Sequence, residues 1–223
     1  MKKLFLLSVI TGIVLLLSCS VSDGPEGVRE KRLEDPDYIA KVGLQPIGKF
    51  EKTYLDTIKK AIEAIYGLEV VILPEMALPK SAYTTVRFPR YRADSLLHIL
   101  DREIPDSLDF IMGLTSVDIS TTKTDKDGNI KKPESKYIDF GIFGLGYCPG
   151  NATVISVFRL ENKNRKIFFE RIKKVCVHEL GHNFGLPHCP TITCVMEDAK
   201  ETIKTIDNEE LRLCEKCLAK ISK

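Results

Sequence analysis

The chain has 223 residues, enough for one domain or at most two small ones. Hydrophobic residues at 43% and charged residues at 29% are ordinary globular usage and exclude a largely disordered chain. Thirty-three basic against thirty-one acidic residues leave a net charge of +2, which gives no electrostatic footprint for nucleic acid, and the absence of Trp supplies no aromatic platform for bases or sugars.

Residues 1–18 open on Met1-Lys2-Lys3 and continue as a run of Leu, Ile, Val and Phe. A charged start followed by a short apolar stretch is a secretory signal, and the run is too short to span a membrane comfortably. It ends Leu16-Leu17-Ser18-Cys19, which resembles a bacterial lipobox. The resemblance implies that Cys19 is acylated and becomes the new N-terminus. The expected location is the bacterial cell envelope, lipid-anchored at the outer membrane, on its periplasmic face or at the cell surface. Residues 19–38 carry few apolar positions and read as a flexible tether, which leaves 39–223 as the folded domain.

Within that domain, 42–48 reads as a first strand. Leu55, Ile58, Ile62 and Ile65 share one face of a helix over 51–66, which Gly67 stops. A buried strand follows at 68–73 and a Pro-rich loop at 74–92. The spacing of Leu96, Leu97 and Leu100 predicts a helix over 93–103, and 108–114 is another strand. A polar loop covers 120–136, and Cys148-Pro149-Gly150 separates two β-like runs at 137–146 and 151–160. A long amphipathic helix spans 164–184, and a closing helix spans 208–220. Strands and helices alternate first and helix with loop dominates later, which points to a mixed α/β sheet joined to a smaller helical part.

The chemistry concentrates at one end. Three of the four His and four of the seven Cys fall within 178–217. His178-Glu179-Leu180-Gly181-His182 places two imidazoles four residues apart, one helical turn above the other, where they can hold one zinc ion. Gly185 can end the helix in a left-handed turn and return His188 to the same ion. Three protein ligands and an open fourth position make a catalytic zinc site. Zinc lowers the pKa of its bound water from about 15.7 to about 7. Glu179 stands where a general base would take the proton from that water and pass it to a leaving amine.

Cys189 follows His188 directly, Cys194 comes after four intervening residues, and Cys214 and Cys217 form a C-x-x-C pair. Four thiolates so spaced can close around a second, structural zinc. Disulfides remain the alternative, because export places the domain in an oxidising compartment and the six cysteines beyond Cys19 could form three bridges. Cys176 reads as a buried free thiol. Cys148 sits at a turn and has no assigned role.

Taken together, His178-Glu179-x-x-His182-x-x-Gly185-x-x-His188-Cys189, Cys194-x-Met196 and Cys214-x-x-Cys217 resemble the archaemetzincins, a family of metzincin-clan zinc metallopeptidases. The motif spans 40 residues, 178–217, and Arg171 and the runs around 108–118 and 154–160 look like less distinctive family features. The resemblance implies an α+β, metzincin-like zincin fold. That fold has a mixed twisted sheet, an active-site helix and a small Cys-rich helical C-terminal subdomain. It further implies His178, His182 and His188 on the catalytic zinc, and Glu179 as general base. Cys189, Cys194, Cys214 and Cys217 would hold a structural zinc, with Met196 in a Met-turn below the site. The edge strand, placed within 137–146, would run antiparallel to a bound peptide. The lipoprotein signal departs from the family's usual pattern and bears on whether the thiolates keep their zinc.

The expected function is therefore zinc-dependent hydrolysis of peptide bonds, in a monomer that meets peptide or protein substrates, touches the membrane only through its lipid and binds no nucleic acid. The alternative is a non-catalytic, zinc-stabilised peptide-binding surface lipoprotein, which would have no use for Glu179. Among the remaining candidates, His98 reads as structural, Asp118 as a turn carboxylate and Asp207 as part of the last helix's N-cap region. The tract from Lys123 to Asn129 reads as a turn, because it lacks the Glu of a calcium loop.

Overall fold

The computed structural model describes residues 24–221. The signal at 1–18 and the lipidation site Cys19 lie outside the described residues. Among the described residues, no helix is long and apolar enough to cross a membrane.

In chain order the elements are α1 (Gly24–Glu34), β1 (Lys41–Ile47), α2 (Lys52–Tyr66), β2 (Glu69–Ile72), β3 (Tyr83–Thr84), β4 (Arg90–Arg92), α3 (Ala93–Arg102), β5 (Phe110–Thr115) and β6 (Ile119–Thr121). They continue as α4 (Glu134–Tyr137), β7 (Phe140–Ile142), β8 (Gly144–Gly146), β9 (Ala152–Ser156), α5 (Arg165–Asn183), α6 (Ile203–Asn208) and α7 (Glu215–Ile221). The main sheet has the order β2-β1-β5-β9-β8, and a smaller one has the order β3-β4-β6-β7. Neighbours in the main sheet are parallel except β8, which lies antiparallel to β9 at the edge.

The main sheet is covered on both faces. All six residues of β5 are buried, as a central parallel strand requires. Phe110, Met112 and Leu114 turn toward a core shared with Ile58 and Ile62 of α2 and with Phe168, Ile172 and Leu180 of α5. Ile111 turns the other way, toward Leu96, Leu97 and Leu100 of α3, because successive side chains of a strand alternate. The helix over 52–66 ends at Gly67, whose φ of 65° lets its N–H reach the Glu63 carbonyl at 3.0 Å.

The helix that carries His178 and His182 starts where the Asn164 side chain accepts a hydrogen bond from the Lys166 N–H at 3.0 Å. It is not amphipathic as expected. Phe168, Ile172, Val175 and Leu180 pack toward the sheet side, while Val177 packs against Met196 and the four clustered cysteines on the other. A helix enclosed from two sides loses its polar face. Arg171 and Lys174 are buried with it, and both are used to dock α6. Arg171 Nε and Nη2 donate to the Asp207 carboxylate at 2.7 and 2.8 Å, and Nη1 donates to the carbonyls of Leu160 and Glu161 at 3.1 and 3.2 Å. Lys174 Nζ donates to the Ile206 carbonyl at 2.8 Å.

Four expectations change here. Residues 24–34 are helical rather than a tether, with Val28 in the core and Lys31 on Asp109 at 2.6 Å. The loop at 74–92 contains β3 and β4. Asp207 is an ion-pair partner of Arg171 rather than a cap. The single helix over 208–220 is replaced by α6 and α7, because the backbone between them pairs elsewhere. Val195 N–H donates to the Arg212 carbonyl at 2.9 Å, and Glu210 N–H donates to the Thr193 carbonyl at 2.9 Å.

Arg171→Ala leaves a buried carbonyl and the Asp207 carboxylate without their donor, and should cost about 3 kcal/mol in denaturant unfolding. The guanidinium holds the Asp207 carboxyl below its ordinary value. The pair therefore contributes fully above about pH 4, the unfolded carboxyl pKa, and loses its contribution as pH falls through the lowered folded value. The destabilisation measured for Arg171→Ala should shrink on acidification.

Candidate metal centres

The last turns of α5 bring His178 and His182 onto one face, with Nε2 atoms 3.1 Å apart. Gly185, at φ 77°, reverses the chain, and its N–H donates to the His182 carbonyl at 2.8 Å. His188 then returns to the pair, with ring centroids 5.3 and 5.0 Å from those of His178 and His182. One nitrogen from each of the three rings falls within 4.8 Å of the others.

Two of the rings are fixed by backbone carbonyls. His178 Nδ1 lies 2.7 Å from the Val195 oxygen, and His182 Nδ1 lies 2.7 Å from the Leu186 oxygen. A carbonyl only accepts, so each Nδ1 carries the hydrogen and each Nε2 presents a lone pair. Burial pushes His178 down to about 3, with help from the neighbouring imidazoles, and pushes His182 down as well. Both rings therefore stay neutral at physiological pH, the form that can ligate a metal. His188 Nδ1 lies 4.0 Å from Asp198, a carboxylate that sequence reasoning missed and that stands two residues beyond Met196.

Glu179 is 9% exposed and lines the same cleft of about 950 Å³. Burial pushes its carboxyl up to about 8. A cation held by the imidazoles would draw it back down, since a nearby positive charge favours the carboxylate. The carboxylate lies against Gly144 of the edge strand, where an added Cβ would fall 2.6–2.8 Å from its atoms. Only a glycine leaves room there, and no motif in the sequence marked that position.

The floor of the site is the turn at 194–196. Met196 is fully buried and lies against Gly181, where a Cβ would collide with its Sδ and would stand 2.9 Å from Tyr66 Oη. The Cys189 N–H donates to the Met196 carbonyl at 2.7 Å.

Beside this turn the four cysteines converge. Cys189 and Cys214 Sγ are 3.7 Å apart, Cys194 and Cys217 Sγ are 3.8 Å apart, and all four lie within 4.8 Å of one another. None is in a disulfide. Thiolates at about 2.3 Å from a tetrahedral zinc stand about 3.8 Å from one another, so the spacing fits the ion. Cys176 is buried in the main core, as expected, and burial pushes its thiol far above the ordinary range. Cys148 is exposed at the cleft wall. His98 is exposed on α3 and lines none of this. Asp118 binds Arg159 through two hydrogen bonds of 2.7 and 2.8 Å. Asp125 accepts from the N–H groups of Asp127 and Asn129 at 2.9 and 3.0 Å, which makes its loop the expected turn.

A mixed sheet whose antiparallel edge borders a helix with these imidazoles, above a buried methionine, defines a metzincin-like zinc metallopeptidase. Comparison with known proteins gives the family. Residues 38–223 match the profile described as Peptidase family M54, and the chain belongs to that family, the archaemetzincins. It is 33% identical over 189 residues to the archaemetzincin of Saccharolobus islandicus, covering 81% of this chain and 92% of that one. It is 32% identical over 163 residues to that of Methanopyrus kandleri, covering 73% and 83%. The crystal structure of the Methanopyrus kandleri archaemetzincin superposes with a TM-score of 0.68 at 28% identity, covering 82% of this chain and 94% of that one. The Archaeoglobus fulgidus structure, a complex with malonate, gives 0.64 at 26%, covering 81% and 99%.

Gly181→Ala forces Met196 and Tyr66 apart beneath the imidazoles. Overpacking of this kind should cost about 1–3 kcal/mol in thermal unfolding and weaken zinc retention during dialysis against a chelator.

Proposed function

We propose that this chain hydrolyses peptide bonds with His178, His182 and His188 holding a catalytic zinc and Glu179 acting as general base. The observation that carries the reading is the Glu179 carboxylate, held against Gly144 in the same cleft as the Nε2 atoms of His178 and His182. A zinc ion bound there supplies Lewis acidity to a carbonyl and to water. The Val195 and Leu186 carbonyls keep Nε2 of His178 and His182 unprotonated and aimed, and the turn after Gly185 supplies His188. Glu179 takes a proton from the attacking water and returns it to the leaving amine. The β8 edge offers backbone groups to an extended substrate.

Cys189, Cys194, Cys214 and Cys217 hold the structural zinc in this reading, and Met196 is the floor beneath the catalytic one. The lipobox-like Leu16-Leu17-Ser18-Cys19 supports lipid anchoring at a bacterial envelope through Cys19. Cys19→Ser should then move the protein from the membrane to the soluble fraction. A peptide-binding surface protein without catalysis is the weaker reading, since binding needs no buried carboxylate beside the imidazoles.

Glu179→Gln should retain zinc and lower hydrolysis by about 10²–10⁴-fold, the usual contribution of a positioned general base. Wild-type rates in that variant would remove Glu179 from the mechanism. Elemental analysis should find two zinc ions per wild-type chain. Cys214→Ser should retain one and melt at lower temperature, because structural zinc contributes folding energy.

A further inference from the structure

Phe140–Gly146 and Cys148 line the cleft along one run of chain that carries no charged side chain of its own, so the charges facing it come from other segments. Gly144, at the middle, abuts Glu179. Toward Phe140 the lining is cationic. The Arg159 guanidinium lies over Gly141, where a Cβ would collide with it. Lys123 Nζ is 4.4 Å and Lys136 Nζ 5.6 Å from the centroid of the Phe140 ring. Glu201, which also lines the cleft, accepts from both lysines at 3.3 and 3.1 Å. Glu201 thus serves both ammonium groups, Asp198 stands within electrostatic reach of Lys123, and Arg159, Lys123 and Lys136 line this end together. Asp118 engages Nε and Nη2 of Arg159 and leaves Nη1 for another acceptor.

An extended peptide added to the β8 edge can lie in either direction. A parallel peptide would aim its N-terminal ammonium at Arg159 and the lysines. An antiparallel one would aim its C-terminal half there. Charge favours the second, and so does the better pairing of antiparallel strands. The residues that follow the scissile bond then run from Gly144 toward Phe140. Three extended residues cover about 10 Å, so the second or third residue after the bond reaches the cations.

We propose that the Phe140 end of the cleft is a carboxylate-binding subsite. It selects peptides with a negative charge two or three residues after the scissile bond, from the free C-terminus of a short peptide or from an Asp or Glu side chain. The proposal rests on the peptidase reading above.

The test uses two peptide pairs cut by the zinc-loaded chain. One pair ends two or three residues after the scissile bond as a free acid or an amide. The other is amidated and carries Glu or Gln at that position. The charged member of at least one pair should have a kcat/KM about tenfold higher, mostly through KM, as a partly exposed charge-assisted hydrogen bond allows. The pair that shows the preference identifies the source of the carboxylate. The preference should fall with added salt. It should shrink toward one in Lys123→Ala/Lys136→Ala, be kept in Lys136→Arg, and grow in Glu201→Gln, which frees both lysines. Ratios near one for both pairs, or a preference that survives the double variant, overturn the subsite. If no peptide is cut at all, the peptidase reading fails instead. The subsite is then decided by the Kd of the same peptides for zinc-loaded Glu179→Gln, where equal values within each pair overturn it.

Discussion

Of the hydrogen bonds that tie the segment 189–217 to the rest of the molecule, the one on which the site turns is His178 Nδ1 on the Val195 carbonyl, at 2.7 Å. Val195 stands between Cys194 and Met196, in the turn that the clustered cysteines hold. The orientation of the first imidazole is therefore set by a chain segment outside the sheet and α5, although Arg171 and Lys174 of α5 help dock it. What keeps 189–217 folded also keeps Nε2 of His178 aimed. The C-terminal cluster acts on the histidine site through this carbonyl and through Met196, which fills the space that Gly181 leaves empty.

Two glycines carry the same logic from opposite sides. Gly181 lets the methionine rise under the imidazoles, and Gly144 lets the edge strand descend onto Glu179. Each is a close approach rather than a turn, since neither has a positive φ. A carboxylate confined between an edge strand and a helix has few rotamers left, and that restriction aims it. Confinement also costs solvation, which is why its carboxyl rises to about 8 when burial acts alone.

The histidine cluster was legible because its spacing is local in sequence. Imidazoles four apart on a helix, a glycine three residues on and a third histidine three beyond that need only helix geometry. The four cysteines were legible as a set, and the open choice between disulfides and zinc spacing is met by sulfur separations of 3.7 and 3.8 Å. The main strands followed from apolar runs and α2 and α3 from apolar periodicity, while α5 was placed although its burial from two sides leaves no apolar face. What was not legible depends on distant partners. Helix α1 carries one buried apolar residue, Val28, too few to reveal a period. Asp207 looked like a cap because its partner, Arg171, stands 36 residues away. The helix expected over 208–220 breaks where residues 210–212 pair with 193–195, a contact no local pattern announces. Gly144 and Asp198 were missed for the same reason, because their importance lies in what approaches them.

The electrostatics of the centre explain why these groups belong together. Burial favours the neutral form of several members: it lowers His178 and His182, raises Glu179, and raises the Cys194 thiol, whereas hydrogen bonds from its cysteine neighbours bring the Cys214 thiol down to about 6 against its own burial. The imidazoles of His178 and His182 and the Glu179 carboxyl are thus polar groups held away from water with their charges suppressed. A dication reverses the balance at both places, because it favours thiolate over thiol and carboxylate over acid. The neutral imidazoles already present the lone pairs that it needs. Metal affinity and the stability of the segment 189–217 are then two aspects of one free energy, since each is gained only when the other is in place. In the proposed mechanism the same coupling would give the buried Glu179 its charge where the imidazoles converge, and an ion that ordered the centre would also make its carboxylate a base.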